Sequence, residues 1–414
     1  MKTKLKVIAV AVMAGVALGS LAGLSSCQRQ QESALKPIDK GALQILVDTT
    51  ARELLIPGAM VLLCTPQGEF TVSYGTTLLG ATSPPGADTH FRIASNTKTM
   101  TAAVIVLLAQ EGKLSLDDPV SYVPGVPNGD NVTITELLNM RSGLYTYDDP
   151  EFWAILERDP SKVWTPAEVL AIAFTHPPYF PPGTGYHYSN TNYALLGLIA
   201  EKIDGKPLAS CLQDRLFGPL DLKDTLLPAH YVEHTPRALL ARLLVRRLLL
   251  SQLDGQAVPA RRPGRGEAGT LKPDDCTGQN SSYASAAGGV ILTANDLAIW
   301  IKALVGGRVF NADYQRQWLD SLQPEDPSKP EGQKYGYGIS QFSWGPNTIY
   351  FHGGEMPGFN SKISYDPTNK LTLIIWTNPT ASLDGQQTAN TLFVKMLDHI
   401  YKVSPLAPSP SPSK

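Results

Sequence analysis

Ser95-Asn96-Thr97-Lys98 sets an amine three residues after a hydroxyl. A serine hydroxyl is a poor nucleophile at neutral pH and needs a base within hydrogen-bond reach. On a helix, positions i and i+3 share a face, so Ser95 and Lys98 become neighbours. The apolar residues that follow Lys98 would strip water from its ammonium, lowering its pKa until it can act as that base. A helix N-terminus also favours the negative charge that develops when a nucleophile attacks a carbonyl. Taken alone, an N-capping serine with a chance lysine reads the same way.

Two further constellations suit the same chemistry. Tyr188-Ser189-Asn190 follows the loop Pro181-Pro182-Gly183-Thr184-Gly185. A tyrosine beside a lysine can act as a phenolate base or relay a proton to a leaving group. An adjacent Asn can orient that lysine and grip a substrate amide. His352-Gly353-Gly354 comes at the end of a strand-like run and leads into Glu355. Glycines there let backbone approach a ligand and point N–H groups at it, as the second donor of an oxyanion hole requires. His230-Tyr231-Val232-Glu233-His234 competes as an H-x-x-E-H zinc pattern. It is bracketed by Pro228 and Pro236, which leave barely two helical turns. No G-x-S-x-G elbow of a Ser-His-Asp hydrolase occurs.

In this order, the three motifs resemble those of the penicillin-recognising serine hydrolases: serine DD-peptidases (penicillin-binding proteins), class C β-lactamases and β-lactamase-like esterases. The resemblance runs over about residues 45–400, and Tyr186–Leu227 is especially like a DD-peptidase. It implies Ser95 as acylated nucleophile, Lys98 as its base and Tyr188 as proton relay. Asn190, His352, Gly353 and Gly354 would contact substrate, and the backbone N–H groups of Ser95 and Glu355 would form the oxyanion hole. No metal or cofactor is implied. The implied activity is that of a D-alanyl-D-alanine carboxypeptidase, with β-lactamase or esterase as alternatives and a non-catalytic peptidoglycan-binding lipoprotein as rival. Two departures bear on substrate. Class C β-lactamases usually carry Lys where this chain has His352. No Arg follows Arg316, whereas carboxypeptidase relatives hold a terminal carboxylate with an Arg on the strand that here offers Ser340 and Gln341.

The elements that must position these residues are legible in outline. Ala59–Cys64 and Phe70–Tyr74 read as a hairpin around Pro66-Gln67-Gly68. Met100–Gln110 is apolar all round, the pattern of a helix buried in the middle of the protein. Residues 135–206 are helical in pattern, with a helix at Tyr193–Ile203 just after the second motif. Strand patterns return at Thr348–Phe351, Lys362–Tyr365 and Leu371–Trp376, before an amphipathic helix at about Asp384–Tyr401. Strands at both chain ends with helices between them predict an α+β sandwich: an antiparallel sheet from N- and C-terminal segments, flanked by helices, with a mostly helical inserted subdomain at about 115–285.

Composition bounds the rest. The chain has 414 residues, 43% of them hydrophobic, and a net charge of −2, which suits a globular enzyme and argues against a nucleic-acid binder. Lys2, Lys4 and Lys6 precede an apolar run from Val7 to Leu24, the layout of a signal peptide over residues 1–26. Leu24-Ser25-Ser26-Cys27 resembles a bacterial lipobox, which implies lipid on Cys27, membrane attachment at the cell envelope and a linker over 27–40. The hydrolase domain is expected at 41–403 and a Pro/Ser-rich tail at 404–414. Cys64 reads as a core residue, and Cys211 and Cys276 could be bridged or free. An Arg-rich segment at 236–266 reads as a surface excursion or as a basic helix resting on anionic lipid. The partners expected are a small-molecule or peptide substrate and the membrane.

Overall fold

The computed structural model describes residues 34–77, 81–228, 276, 278–379, 381–382 and 385–403. The signal-like segment, Cys27, His230–His234, the Arg-rich stretch and the Pro/Ser tail lie outside the described residues.

The centre is an eight-stranded antiparallel sheet. Its hairpin β1 (Gly58–Thr65) and β2 (Gly68–Gly75) comes from the N-terminal side. The other six are β5 (Gln323–Pro324), β6 (Lys334–Tyr335), β7 (Ser340–Trp344), β8 (Asn347–Met356), β9 (Phe359–Asp366) and β10 (Leu371–Asn378). The order is β2-β1-β10-β9-β8-β7-β6-β5, so β1 closes directly on β10, with Val61 opposite Ile375. A separate pair, β3 (Phe91–Arg92) and β4 (Ile291–Leu292), carries the chain into the Ser95 turn.

β1 and β10 read as continuous apolar runs because both of their faces are covered. Met60, Leu62, Ile374 and Trp376 face the large core on one side. Val61, Leu63, Leu373 and Ile375 face a second core, closed by Leu43 and Val47 of α1 (Lys40–Glu53) and by Leu392 and Met396 of α11 (Thr388–Ile400). The α1 helix, capped by Asp39 accepting from the Ala42 N–H at 2.8 Å, stands where the sequence pattern had suggested no element.

The linker expected through residue 40 ends earlier. Leu35 is buried and forms an antiparallel bridge with Tyr401, and the N–H of Lys36 donates to Ile400 O at 2.8 Å. Leu35, flanked by the partly buried Ala34 and Ile38, docks this stretch on the second core. The folded domain therefore begins by Ala34.

On the large-core side lies α2 (Thr97–Gln110), buried almost throughout. Its polar residues are clamped rather than exposed. Thr97 Oγ1 accepts from the Val290 N–H at 3.1 Å, and Thr99 Oγ1 accepts from Trp300 Nε1 at 2.7 Å. Thr101 Oγ1 donates to Ala286 O at 2.7 Å. The partners belong to α8 (Ser285–Gly288), the turn after it, and α9 (Ala294–Val305); α10 (Ala312–Asp320) follows. The helical region comprises α3 (Ile134–Leu138), α4 (Pro150–Arg158), α5 (Pro166–Phe174), α6 (Asn190–Asp204) and α7 (Leu208–Leu212). Cys64, Cys211 and Cys276 are buried free thiols. No helix among the described residues is long and apolar enough to cross a membrane.

Candidate active site

Ser95 sits in a single 3₁₀ turn, Ala94–Asn96, that runs straight into α2. Ala94 holds φ at 50°, a left-handed conformation that costs a non-glycine residue ~1–3 kcal/mol and must be enforced by its surroundings. Three contacts enforce it. The Asn96 Nδ2 donates to Ile93 O at 2.9 Å and to Ser361 Oγ at 2.8 Å, and the Ile93 N–H donates to Val290 O at 3.2 Å. The turn is thus tied to β9 on one side and to the strand end after α8 on the other.

Lys98 points back along α2, with Nζ 3.0 Å from Ser95 Oγ. It is fully buried and makes two further hydrogen bonds, to Asn190 Oδ1 at 2.6 Å and to Ala287 O at 2.7 Å. Burial brings its pKa down to about 7, against a smaller opposing pull from the Asp148 charge. The geometry fixes what the neutral amine does. Asn190 Oδ1, held as an acceptor, and the Ala287 carbonyl take the two N–H bonds, so the lone pair faces Ser95 Oγ.

Asn190 opens α6, and its amide is oriented from behind: Nδ2 donates to Asp148 Oδ2 at 2.7 Å. Asp148 also accepts from the Thr146 hydroxyl, while Thr146 Oγ1 accepts the Asn190 N–H at 3.1 Å. Nothing in the spacing of Ser142–Asp149 marks Asp148; it becomes visible only when the loop folds against α6.

Tyr188 is hydrogen-bonded to Ser95, and its ring lies with its centroid 4.9 Å from Lys98 Nζ. Desolvation raises its pKa far above the usual tyrosine value. Burial thus favours the neutral hydroxyl, which can take and give a proton.

His352 lies within β8, which runs on through Met356 instead of ending before the histidine. The ring is buried, and desolvation followed by the nearby Lys98 charge pushes its pKa down to about 3. His352 Nδ1 is 2.6 Å from the carbonyl of Gly353, which can only accept, so the proton is on Nδ1 and Nε2 accepts from Tyr335 Oη at 3.2 Å. The third motif therefore presents no cation.

The two glycines make room within the protein itself. A Cβ on Gly354 would come within 2.1 Å of Ile93 O and 2.7 Å of Asn96 Nδ2. Its missing side chain is what lets β8 press against the Ser95 turn. A Cβ on Gly353, on the opposite face, would lie 3.2 Å from Lys362 Nζ, itself stacked over the rings of Phe351 and Phe393. Glu355, one residue further, reaches the same cleft as Ser95. The cleft is walled by Ser95, Asp148, Trp153, Asn190, Tyr283 and Glu355 among others. Among the described residues, no group of three or more His, Cys, Asp and Glu is placed to hold a metal.

A hydroxyl, a dry amine 3.0 Å from it and a phenol beside both stand together on a mixed α+β sandwich. The family comparison agrees: the Beta-lactamase family model matches residues 46–393, and the chain belongs to that family of serine hydrolases. Among curated relatives, penicillin-binding protein 4* of Bacillus subtilis is 26% identical over 344 residues, covering 79% of this chain and 68% of that protein. Protein flp of Staphylococcus aureus is 33% identical, over 41% of this chain and 34% of its own length. Among solved structures, the D-amino acid amidase of Ochrobactrum anthropi complexed with L-phenylalanine amide superposes with a TM-score of 0.70 at 26% identity, covering 86% of this chain and 96% of that one. A D-stereospecific amidohydrolase from Streptomyces gives 0.68 at 27% identity, covering 85% and 97%.

Proposed function

We propose that this chain hydrolyses amide bonds of D-amino-acid derivatives through an acyl-Ser95 intermediate. The observation that carries the reading is the 3.0 Å contact between Ser95 Oγ and Lys98 Nζ in a site dry enough to bring that amine to about 7. Neutral Lys98 takes the Ser95 proton as Oγ bonds to the carbonyl carbon. The backbone N–H groups of Ser95 and Glu355 receive the oxyanion. The C–N bond then breaks, and the leaving nitrogen takes a proton through Tyr188. Water attacks the acyl-enzyme in the second half, releasing the acid and restoring the Ser95 hydroxyl.

Likeness to a penicillin-binding protein and to D-amino acid amidases supports the D-amino-acid part of this reading. A D-alanyl-D-alanine carboxypeptidase is one member of that class, and its address would be the cell envelope, with Cys27 lipidated. Intact mass of the protein over time after adding a penicillin tests the mechanism. An adduct on Ser95 that persists for hours supports a penicillin-binding peptidase or amidase, and a transient one with hydrolysed drug indicates a β-lactamase. Absence of any adduct, from penicillin or from a fluorophosphonate, overturns the acyl-Ser95 reading. Labelling of Cys27 with radioactive palmitate in bacteria tests the anchor.

A further inference from the structure

Tyr335 joins the second and third motifs from beneath. It lies on β6, two strands away from β8 in the sheet. Its backbone is opposite Ser340 of β7, which is in turn opposite Phe351 of β8. The side chain is buried in the large core, and its hydroxyl reaches across β7 to within 3.2 Å of His352 Nε2. The two rings meet edge to face at 5.8 Å. The ring of Tyr188 packs edge to face on the same phenol, with centroids 6.0 Å apart and planes at 86°.

The proton positions follow from the partners. The carbonyl of Gly353 can only accept, so its 2.6 Å contact places a proton on His352 Nδ1 and leaves Nε2 bare. Tyr335 is then the donor to Nε2. Burial pushes its hydroxyl well above the usual tyrosine pKa, so it keeps the proton it shares. Tyr193, another phenol against Tyr335, gives its own proton to Leu138 O at 2.9 Å. Both imidazole nitrogens of His352 are therefore taken by the protein. The ring is a strut: Tyr335 holds one end of it, and the other end holds the Gly353 carbonyl. The next residue, Gly354, presses on the Ile93 carbonyl, and the one after it is Glu355, whose N–H receives the oxyanion in the mechanism above.

We propose that Tyr335 is a positioning residue for acyl transfer: through His352 it holds the β8 backbone so that the Glu355 N–H stays aimed at the developing oxyanion. This rests on the acyl-Ser95 reading and adds to it a residue that acts only through another.

The test is Tyr335→Phe in the full-length protein, which keeps the ring beneath Tyr188 and removes only the hydroxyl. Nitrogen NMR with isotope-labelled histidine reads the strut directly, the His352 signals being assigned by their loss in His352→Asn. Wild-type His352 should show a protonated Nδ1 and a bare Nε2 that accepts a hydrogen bond. In Tyr335→Phe the Nε2 resonance should move to that of an unbonded imidazole nitrogen. With p-nitrophenyl acetate, kcat should fall about tenfold while KM stays within about twofold, because an oxyanion donor acts in the transition state. A phenol that merely fills the core, or one that donates to Tyr193 instead, would leave the Nε2 resonance in place, and either result overturns the inference. An unchanged kcat, with Ser95 still acylated by the ester, overturns it as well and leaves the mechanism standing. The wild-type spectrum needs no variant of Tyr335 to fold: a proton found on Nε2 sinks the proposal, and a bare, hydrogen-bonded Nε2 supports it. If neither the ester nor a fluorophosphonate labels Ser95, the mechanism falls and takes the inference with it.

Discussion

Lys98 Nζ lies 2.6 Å from Asn190 Oδ1, two residues 92 positions apart in the chain. The contact joins the first and second motifs into one unit, because Asn190 spends one N–H of the neutral amine and so helps aim the lone pair at Ser95.

Removing either end of the Ser95–Lys98 pair should remove turnover. Ser95→Ala and Lys98→Ala should each lower kcat about 10³-fold or more, because nucleophile and base act together. Ser95 heads the turn without filling the core, so thermal unfolding of Ser95→Ala should stay within about 1 kcal/mol of wild type. Steady-state kinetics alongside calorimetry checks both halves; wild-type activity in Ser95→Ala would rule out the site.

The pH dependence follows from the base. Lys98 must be unprotonated to accept the serine proton, and its pKa is brought down to about 7. Activity on a neutral ester should therefore rise with pH through about 7 and fall about tenfold per unit on the acid side. An acid limb near 10 would mean that Lys98 is not dry in solution.

Asp148 fixes which end of the Asn190 amide faces Lys98, and its charge favours the lysine ammonium. Asp148→Asn should do two separable things. The plateau kcat should drop by about tenfold or more as Asn190 loses its anchor. The acid limb should move to lower pH, because the loss of a negative charge makes Lys98 easier to deprotonate. A general loss of packing would lower kcat without moving the limb, so the pH–rate profile separates the two explanations.

Gly354→Ala tests the docking of β8 on the Ser95 turn. The added methyl meets the Ile93 carbonyl and the Asn96 amide, neither of which can move without disturbing the turn. A destabilisation of about 1–3 kcal/mol is expected, with slower acylation of Ser95 by penicillin. Gly353→Ala, whose nearest neighbour is the flexible end of Lys362 and whose backbone contact, Ser361 O, is an ordinary 3.9 Å, should be milder in both measurements.

The sequence carried the sheet hairpin, the buried helix and the three motifs, because each rests on local signals: a period, a turn or a short spacing. Asp148 left no such signal; its role depends on a loop crossing to α6. The glycines of the third motif were visible, but what they make room for was not, since the partner atom of Gly354 belongs to Ile93, in another segment of the chain. The α1 helix escaped because its apolar residues do not keep to one stripe: Leu43 and Val47 are buried, while Ile45 between them is exposed. The charge of His352 was likewise unreadable, because the burial that keeps it neutral comes from Tyr335, Tyr188 and Lys98 gathered around it.

The pairing of Leu35 with Tyr401, flanked by the bonds from Lys36 to Ile400 and from Lys402 to Ala34, brings the two ends of the folded domain side by side. Both residues belong to the core on the α1 and α11 face of the sheet, while the Ser95 turn packs on the other face. The first described residue, Ala34, and the last but one, Lys402, therefore lie next to each other. The same adjacency makes the fold suited to circular permutation, with a short linker joining residues 34 and 403 and new ends opened at the Pro66-Gln67 turn.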